Sequence, residues 1–473
     1  MEEPDSPREL HGFKLWGYNL GYFGLYLAIL LESVFMLQYY VYTINLDSIL
    51  VSTGVTVQLI ISAFSSIVFG VMIDNKKPGK LGKRRLFLLY ALPIWFLTGI
   101  LLWLPPTYCP ENNSFHWPTA VFLWIVLIVK GVSGTSVLVA HASMLPEQSQ
   151  TLENRKKVAA VGTILTIIAS ILSILIPLIV QSILADPQNV KWWDPSGQII
   201  LFYIPIVGTG FALFAVISIT ITFFSVDESF HKISSNTKQE KRTIRDTFQQ
   251  MIDPVRDKKY RRYIYAVLHM TVSNKIVGIV IIPFITYVLL FIGPLYFIYI
   301  AVSTVCKFAW YVFWRYALKK YDLVKTASLC IAFSAIASFC ELVFLIEILS
   351  FEFKIVLFVI TFGTILGSIY GYGLFSGPLI SALIEEAADK IEGMNKTQTV
   401  YRISGSYFGL STFIGSIGPA IGSIIIGLIL TGPNQANPMI ITICLVSAGF
   451  FYSISCVYLW LIKLKKSEGT DYE

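Results

Sequence analysis

Charge is scarce in this chain. Asp, Glu, Lys and Arg make up 14% of its 473 residues, against about 25% in ordinary soluble domains. The 55% that is hydrophobic is more than a soluble fold of this size can hide, so water is not its main solvent. Histidine is nearly absent, with five residues scattered at 11, 116, 141, 231 and 269, so no metal cluster of catalytic spacing forms. The six cysteines offer no disulfide or metal pattern: five lie in apolar stretches, and Cys109 stands alone near one end of another. No Walker-type loop occurs, which argues against ATP as a drive. No paired catalytic carboxylates or nucleophile–base set stands out either. An enzyme is not expected, and neither is a cofactor or a metal.

What is present is long apolar sequence. Mean hydropathy is +0.67. A membrane-crossing helix needs about 20 mostly apolar residues, and twelve such stretches can be counted. They run over 16–43, 53–73, 86–104, 118–141, 158–183 and 199–225, then 263–291, 294–317, 326–349, 354–383, 403–430 and 438–462. The first is read as a retained span, because residues 1–14 mix acids and bases as no secretory leader does. With the amino terminus placed inside, 31 of the 36 Lys and Arg residues fall on the inner side. Only Lys191 and Lys354 lie outside, and Lys130, Lys275 and Lys307 lie within spans. This bias puts both termini in the cytoplasm. The net charge of +7 therefore belongs to solvated inner loops, and nucleic acid is not an expected partner.

The polar stretch 226–262 divides the spans six and six. The expected organisation is a bundle over 1–225, a cytoplasmic linker over 226–262 and a second bundle over 263–473. In the linker, Ile244, Phe248, Met251 and Ile252 share one helical face, which predicts a short amphipathic helix on the inner surface. Six plus six spans with a central loop predict two pseudo-symmetric bundles with a substrate site between them near the midplane. Asn112-Asn113-Ser114 is a glycosylation sequon in an outer loop, and Asn395-Lys396-Thr397 is one facing the cytoplasm.

Three inner-loop motifs carry a family resemblance. Between spans 2 and 3 stand Gly70, Asp74 and the run Gly82-Lys83-Arg84-Arg85. After span 4 comes Ser143-Met144-Leu145-Pro146-Glu147, followed by Glu153-Asn154-Arg155. After span 10 come Asp389-Lys390 and then Arg402-Ile403-Ser404-Gly405. Together with the Tyr-rich run Gln38–Thr43, these resemble the glycoside–pentoside–hexuronide:cation symporters of the major facilitator superfamily, to which melibiose permease belongs. The resemblance implies an all-α major facilitator fold and sugar transport by alternating access in symport with a cation. It makes the three motifs parts of a cytoplasmic gate rather than substrate contacts. It also implies a multi-pass protein of the plasma membrane, working as a monomer on a small-molecule substrate within the lipid bilayer.

The departures from the family are equally informative. Members similar to melibiose permease bind their coupling cation with aspartates on helices 1, 2 and 4. Matched by position, this chain has Ala28, Ser62, Ser66 and Leu138 there, and Ser416 where the family has a helix 11 lysine. The sodium site is missing as the family builds it.

An ionisable group near the bilayer centre costs at least about 2.5–3.5 kcal/mol and needs a reason to be there. Glu32, Lys130, Lys275 and Lys307 each lie about 16–20 Å from one end of their span, so all four are close to the midplane. The resemblance places the three lysines on cavity-lining helices. Glu32 and Lys130 are candidates to satisfy each other, with Glu32 the candidate for protonation and H+ the candidate coupling ion. Lys275 and Lys307 have no assigned acid, which favours a carboxylate, sulfate or phosphate on the substrate. Glu341 and Glu347, on a peripheral span, are ranked as structural or interfacial. Lys307, Trp310, Tyr311 and Trp314 share one helical face. Such a wall suits sugar rings, lipid tails or plain helix packing alike. Asn274, Tyr370 and Tyr372 are further hydrogen-bonding candidates, and Gly371 and Gly373 allow close backbone approach or bending. The leading expectation is a secondary transporter of an anionic or sugar-like solute. A lysolipid carrier and a non-transporting receptor of the same fold stand as alternatives.

Overall fold

In the computed structural model the described residues are 8–76, 82, 84–149, 151–228, 243–346, 348–391 and 396–464. They form thirteen α-helices. In the first unit these are α1 (Gly12–Leu37), α2 (Ser48–Asn75), α3 (Arg85–Leu101), α4 (Trp117–Gln148), α5 (Leu152–Ser182) and α6 (Pro195–Ser225). Next come α7 (Ile244–Ile252), α8 (Lys258–Pro283), α9 (Tyr296–Lys320), α10 (Leu323–Cys340), α11 (Phe351–Ala388), α12 (Lys396–Ile429) and α13 (Pro438–Trp460). Eleven are long and apolar enough to cross a membrane. The twelfth expected span, α3, is an apolar helix of 17 residues, at the lower limit of about 17 for a crossing. The chain is thus a polytopic helical membrane protein.

The helix starts are written in polar side chains. The Asp47, Asp257 and Asp322 carboxylates, the Thr151 and Ser350 hydroxyls and the Asn437 amide oxygen each accept a backbone N–H of the first turn. They satisfy donors that lipid cannot.

The chain divides into two compact units, Met1–Ile244 and Arg245–Glu473. Each repeats one packing order. In the first, α1 packs on α5 and α6, α2 on α4, and α3 on α4 and α6; in the second, α8 packs on α12 and α13, α9 on α11, and α10 on α11 and α13. The likeness extends to the backbone. α1 continues into a π-helical turn, Gln38–Thr43, and α8 into another, Phe284–Val288. The N–H of Ile44 donates to the Tyr39 carbonyl and that of Leu46 to the Tyr40 carbonyl, both at 2.9 Å. In the second unit Leu289 donates to Phe284 at 3.1 Å and Phe291 to Ile285 at 3.0 Å. Each turn closes on a left-handed residue, Asn45 (φ 66°) and Leu290 (φ 56°). Asn tolerates that conformation; Leu does not, and the repeated hydrogen bonds hold it there.

Small residues set the helix spacing. Gly17, Gly21 and Gly24 of α1 face Ser225, Thr222 and Ser218 of α6, and the Thr222 hydroxyl donates to the Gly17 carbonyl at 2.7 Å. This is the small-residue contact expected where lipid gives helices no hydrophobic reason to associate. Elsewhere glycines seat tryptophan rings: Gly134 under Trp95, Gly208 under Trp103, Gly54 beside Trp124, Gly367 under Trp310 and Gly371 under Trp314.

The amphipathic segment is helical, as its spacing predicts, but its apolar face divides. Met251 is buried near Gly409 of α12, and Phe248 meets Phe413 edge-on at 6.3 Å. Ile244 and Ile252 stay exposed.

Candidate functional site

In the first unit the midplane charges meet. The Lys130 ammonium of α4 is bonded to the Glu32 carboxylate of α1. Lys130 is buried, and its ammonium lies 5.7 Å from the Trp95 ring. Gly131, next in α4, faces Gln58 and Ser62 of α2, while the Ser66 hydroxyl donates to the Ala63 carbonyl at 2.7 Å. About three helical turns towards the cytoplasm, His141 is buried against α1. Its Nε2 lies 2.8 Å from the Tyr18 carbonyl, and the Tyr18 hydroxyl donates to the His141 carbonyl at 3.0 Å. The two rings stack at 4.4 Å.

The second unit is different. Lys307 of α9 is 8% exposed, and its ammonium stands 4.4 Å from the centre of the Tyr370 ring of α11. Among the described residues it forms no ion pair. A cation over an aromatic face gains about 2 kcal/mol when desolvated, which falls short of the cost of an uncompensated buried charge. Tyr370 is itself half-open, at 38% exposure. The pair therefore offers a positive charge with an accessible aromatic edge.

Several expected ligand groups have other work. The Asn274 amide oxygen accepts the Tyr452 hydroxyl at 2.8 Å, so it fastens α8 to α13. Lys275 packs its aliphatic stem beside Gly422 of α12 and is engaged with a neighbour; it is not the bare cation that the sequence implies. Trp310 and Trp314 stack on each other at 5.6 Å and fill the notches at Gly367 and Gly371. Trp310 and Trp314 of the stripe thus pack on the helix beside them, and Gly371 seats a ring of the protein. Tyr311, on the same helix, is exposed. Tyr372 is buried beside Tyr263. Lys307 and Tyr370 are what remains of the predicted wall.

The gate motifs sit at inner helix ends. Gly82 has φ +87°, and a side chain there would run into Glu228. The buried Glu228 carboxylate accepts the N–H of Arg84 at 3.1 Å and of Arg85 at 3.3 Å. The Arg85 guanidinium donates to the Phe223 carbonyl and lies 5.0 Å from its ring. Gly70 has open space beside it. The side chains of Asp74, Pro146, Glu147, Arg155 and Arg402 lie outside the described set, as do Lys83, Glu347 and Asn395. Asp389 is the C-cap of α11; its neighbour Lys390 pairs with Asp257 at 2.7 Å, and Lys259 of α8 pairs with Glu386 of α11. Burial alone would raise the Asp257 carboxyl. The Lys390 ammonium and the N–H groups of Lys259 and Tyr260 outweigh this and hold it below the usual carboxylate range.

Glu228, Asp257, His141 and Tyr18 are partners that spacing does not reveal. Glu228 left one trace: with Asp227 it is an acid placed directly after the sixth span.

The outer end of the first unit is closed by bonds to backbone carbonyls, one of them from the Lys191 ammonium. Lys191 donates to the Val41 carbonyl at 3.1 Å and Trp192 N–H to Thr43 at 2.8 Å. Burial lowers the Lys191 amine to about 8. Cys109 is buried there, with its thiol raised by burial to about 11.

A polytopic helical chain with repeated halves and these inner-loop motifs defines a class, the major facilitator transporters. The family model for "MFS/sugar transport protein" matches residues 17–464, and the chain belongs to that family. It is therefore a secondary transporter and not an enzyme. Among solved structures it resembles a mutant of the nucleoside transporter NupG (12% identity, 95% of this chain and 100% of that one, TM-score 0.63). It also resembles the xylose transporter XylE from E. coli in an inward-open form (13%, 96% and 96%, 0.59). A third likeness is to a bacterial homolog of the human lysosomal transporter Spinster (11%, 95% and 96%, 0.61). At these identities the likeness is one of fold. No curated protein matches the chain.

Proposed function

We propose that this transporter carries a small solute bearing an anionic group, of the uronide or glycoside class, and that Lys307 receives the negative charge with Tyr370 beside it. One observation carries the reading. Of the two midplane cations whose partners are seen, Lys130 is neutralised by Glu32, whereas Lys307 is buried against an aromatic ring and, among the described residues, pairs with no carboxylate. A buried ammonium in that position is completed by an anion. The family's sugar-transport character supports a polyol body on the solute. The mechanism is alternating access driven by an ion gradient, with the monomer as working unit and the plasma membrane as its place. Sodium does not drive it in the family's usual way, since Ser62, Ser66 and Leu138 supply no carboxylates; the proton is the coupling ion of this reading.

The test is uptake into proteoliposomes of matched pairs, glucuronate against glucuronamide and a methyl glucuronide against the methyl glucoside, with and without sodium and a proton gradient. The reading expects the acids to be taken up in preference, independently of sodium. Preference for the neutral member of each pair contradicts it.

A further inference from the structure

The second unit buries one carboxyl that the substrate reading does not use. Glu341 opens the 3-10 turn Glu341–Leu345 that follows α10. It is 0% exposed, and neither of its oxygens has a hydrogen-bond partner. The turn packs on α13 and α11, and its Phe344 meets Phe284 edge-on at 5.3 Å. α13 carries no Asp, Glu, Lys, Arg or His; its titratable groups are Cys444, Tyr452, Cys456 and Tyr458. α11 has Glu352 and Lys354 in its first turns, Tyr370 and Tyr372 in the middle, and Glu385 and Glu386 in its last. α10 itself brings Lys325, Cys330 and Cys340, and the π-turn of α8 brings Tyr287. Among the described residues none of these forms an ion pair with Glu341.

Three arguments converge on a neutral acid. An ionised carboxylate without cation or donor is untenable in this apolar setting. The end of α10 makes matters worse, because a helix C-terminus repels negative charge. The polar neighbour on α11 is Thr361, whose hydroxyl proton already goes to the Leu357 carbonyl at 2.9 Å. With that proton so placed it accepts towards Glu341, an arrangement that suits a protonated carboxyl.

We propose that Glu341 is a proton-binding site of this transporter, holding a proton in the closed arrangement of α10, α11 and α13 and exchanging it with the outer side when that end opens. Thr361 is about 15 Å below the outer end of α11, so the path is short. Glu32 is bonded to Lys130 in this arrangement, so Glu341 is a site separate from it. The inference rests on the transporter class alone and not on Lys307.

Infrared spectroscopy of the full-length protein in lipid nanodiscs tests it directly. Wild type at neutral pH should show the C=O stretch of a protonated acid, shifting in D2O. The band should be absent in Glu341→Gln and retained in Glu32→Gln. A jump to alkaline pH, followed with a pH dye, should release more protons from wild type than from equally folded Glu341→Gln. No acid band in wild type, an unchanged band in Glu341→Gln, or equal proton release would overturn the proposal. These readouts use no substrate, so failure of the anion reading leaves them standing.

Discussion

The Glu32 carboxylate and the Lys130 ammonium are bonded to each other between α1 and α4, with Trp95 near the cation. Removing one partner strands a buried charge. Either Glu32→Leu or Lys130→Met alone should therefore cost about 3–5 kcal/mol of stability. The paired replacement should recover most of that loss. Thermal unfolding of the two single variants and the double variant in one lipid system measures the coupling, and additive losses would show that the pair is not a unit.

Trp314 should act as a structural residue. Its ring is 1% exposed and sits in the Gly371 notch of α11. Trp314→Ala should cost about 3–5 kcal/mol as a cavity, and Gly371→Leu about 1–3 kcal/mol or more by overpacking. Both should lower the folded yield from solubilised membranes. Whatever protein folds should keep its solute preference, since neither residue is assigned to the solute.

Glu228 holds the backbone of the loop between α2 and α3. Its replacement by Ala removes charged hydrogen bonds worth about 1.5–3 kcal/mol each. Amide exchange at Arg84 and Arg85 should speed up accordingly, while the amides within α3 stay protected. Unchanged exchange at those two positions would mean that the loop is held by other contacts.

Asp257 gives the inner end of the second unit a defined pH response. Its carboxyl is held below the usual range, so its contribution is full above the unfolded value of about 3.9 and fades as acid reaches the folded value. Lys390 is largely exposed, which makes the effect modest. The acid-induced loss of stability should be smaller in Asp257→Asn than in wild type, and Lys390→Met should shift it to less acid pH.

The fold was legible because lipid imposes one rule on every span: about 20 apolar residues with charges kept to one side. The inner-loop motifs carried the family, since Gly82 and Arg84-Arg85 are local. The sites were less legible, because spacing gives a helical face but not the neighbour it meets. Lys307, Trp310 and Trp314 share a face, yet only the coordinates separate the cation over Tyr370 from the two rings seated on glycines. Asn274 is a hydrogen-bonding candidate by residue type alone; that its oxygen accepts from Tyr452, far along the chain, is visible only in the fold. Glu341 looked peripheral because α10 is, and its isolation depends on α13 having no charge to offer. The π-turns closed by Asn45 and Leu290 left no trace, since Leu is among the last residues expected at positive φ.

The most direct measurement is equilibrium binding of carboxylate, sulfate and phosphate sugars, each beside its neutral analogue, to purified wild type and Lys307→Ala. The account predicts that wild type binds the acidic member of at least one pair more tightly. Lys307→Ala should lose about 2–5 kcal/mol for that acid, the scale for stranding one partner of a buried charge pair, with little change for the neutral analogue. Equal affinity of wild type and Lys307→Ala for the acid, or tighter binding of neutral solutes by wild type, would contradict it.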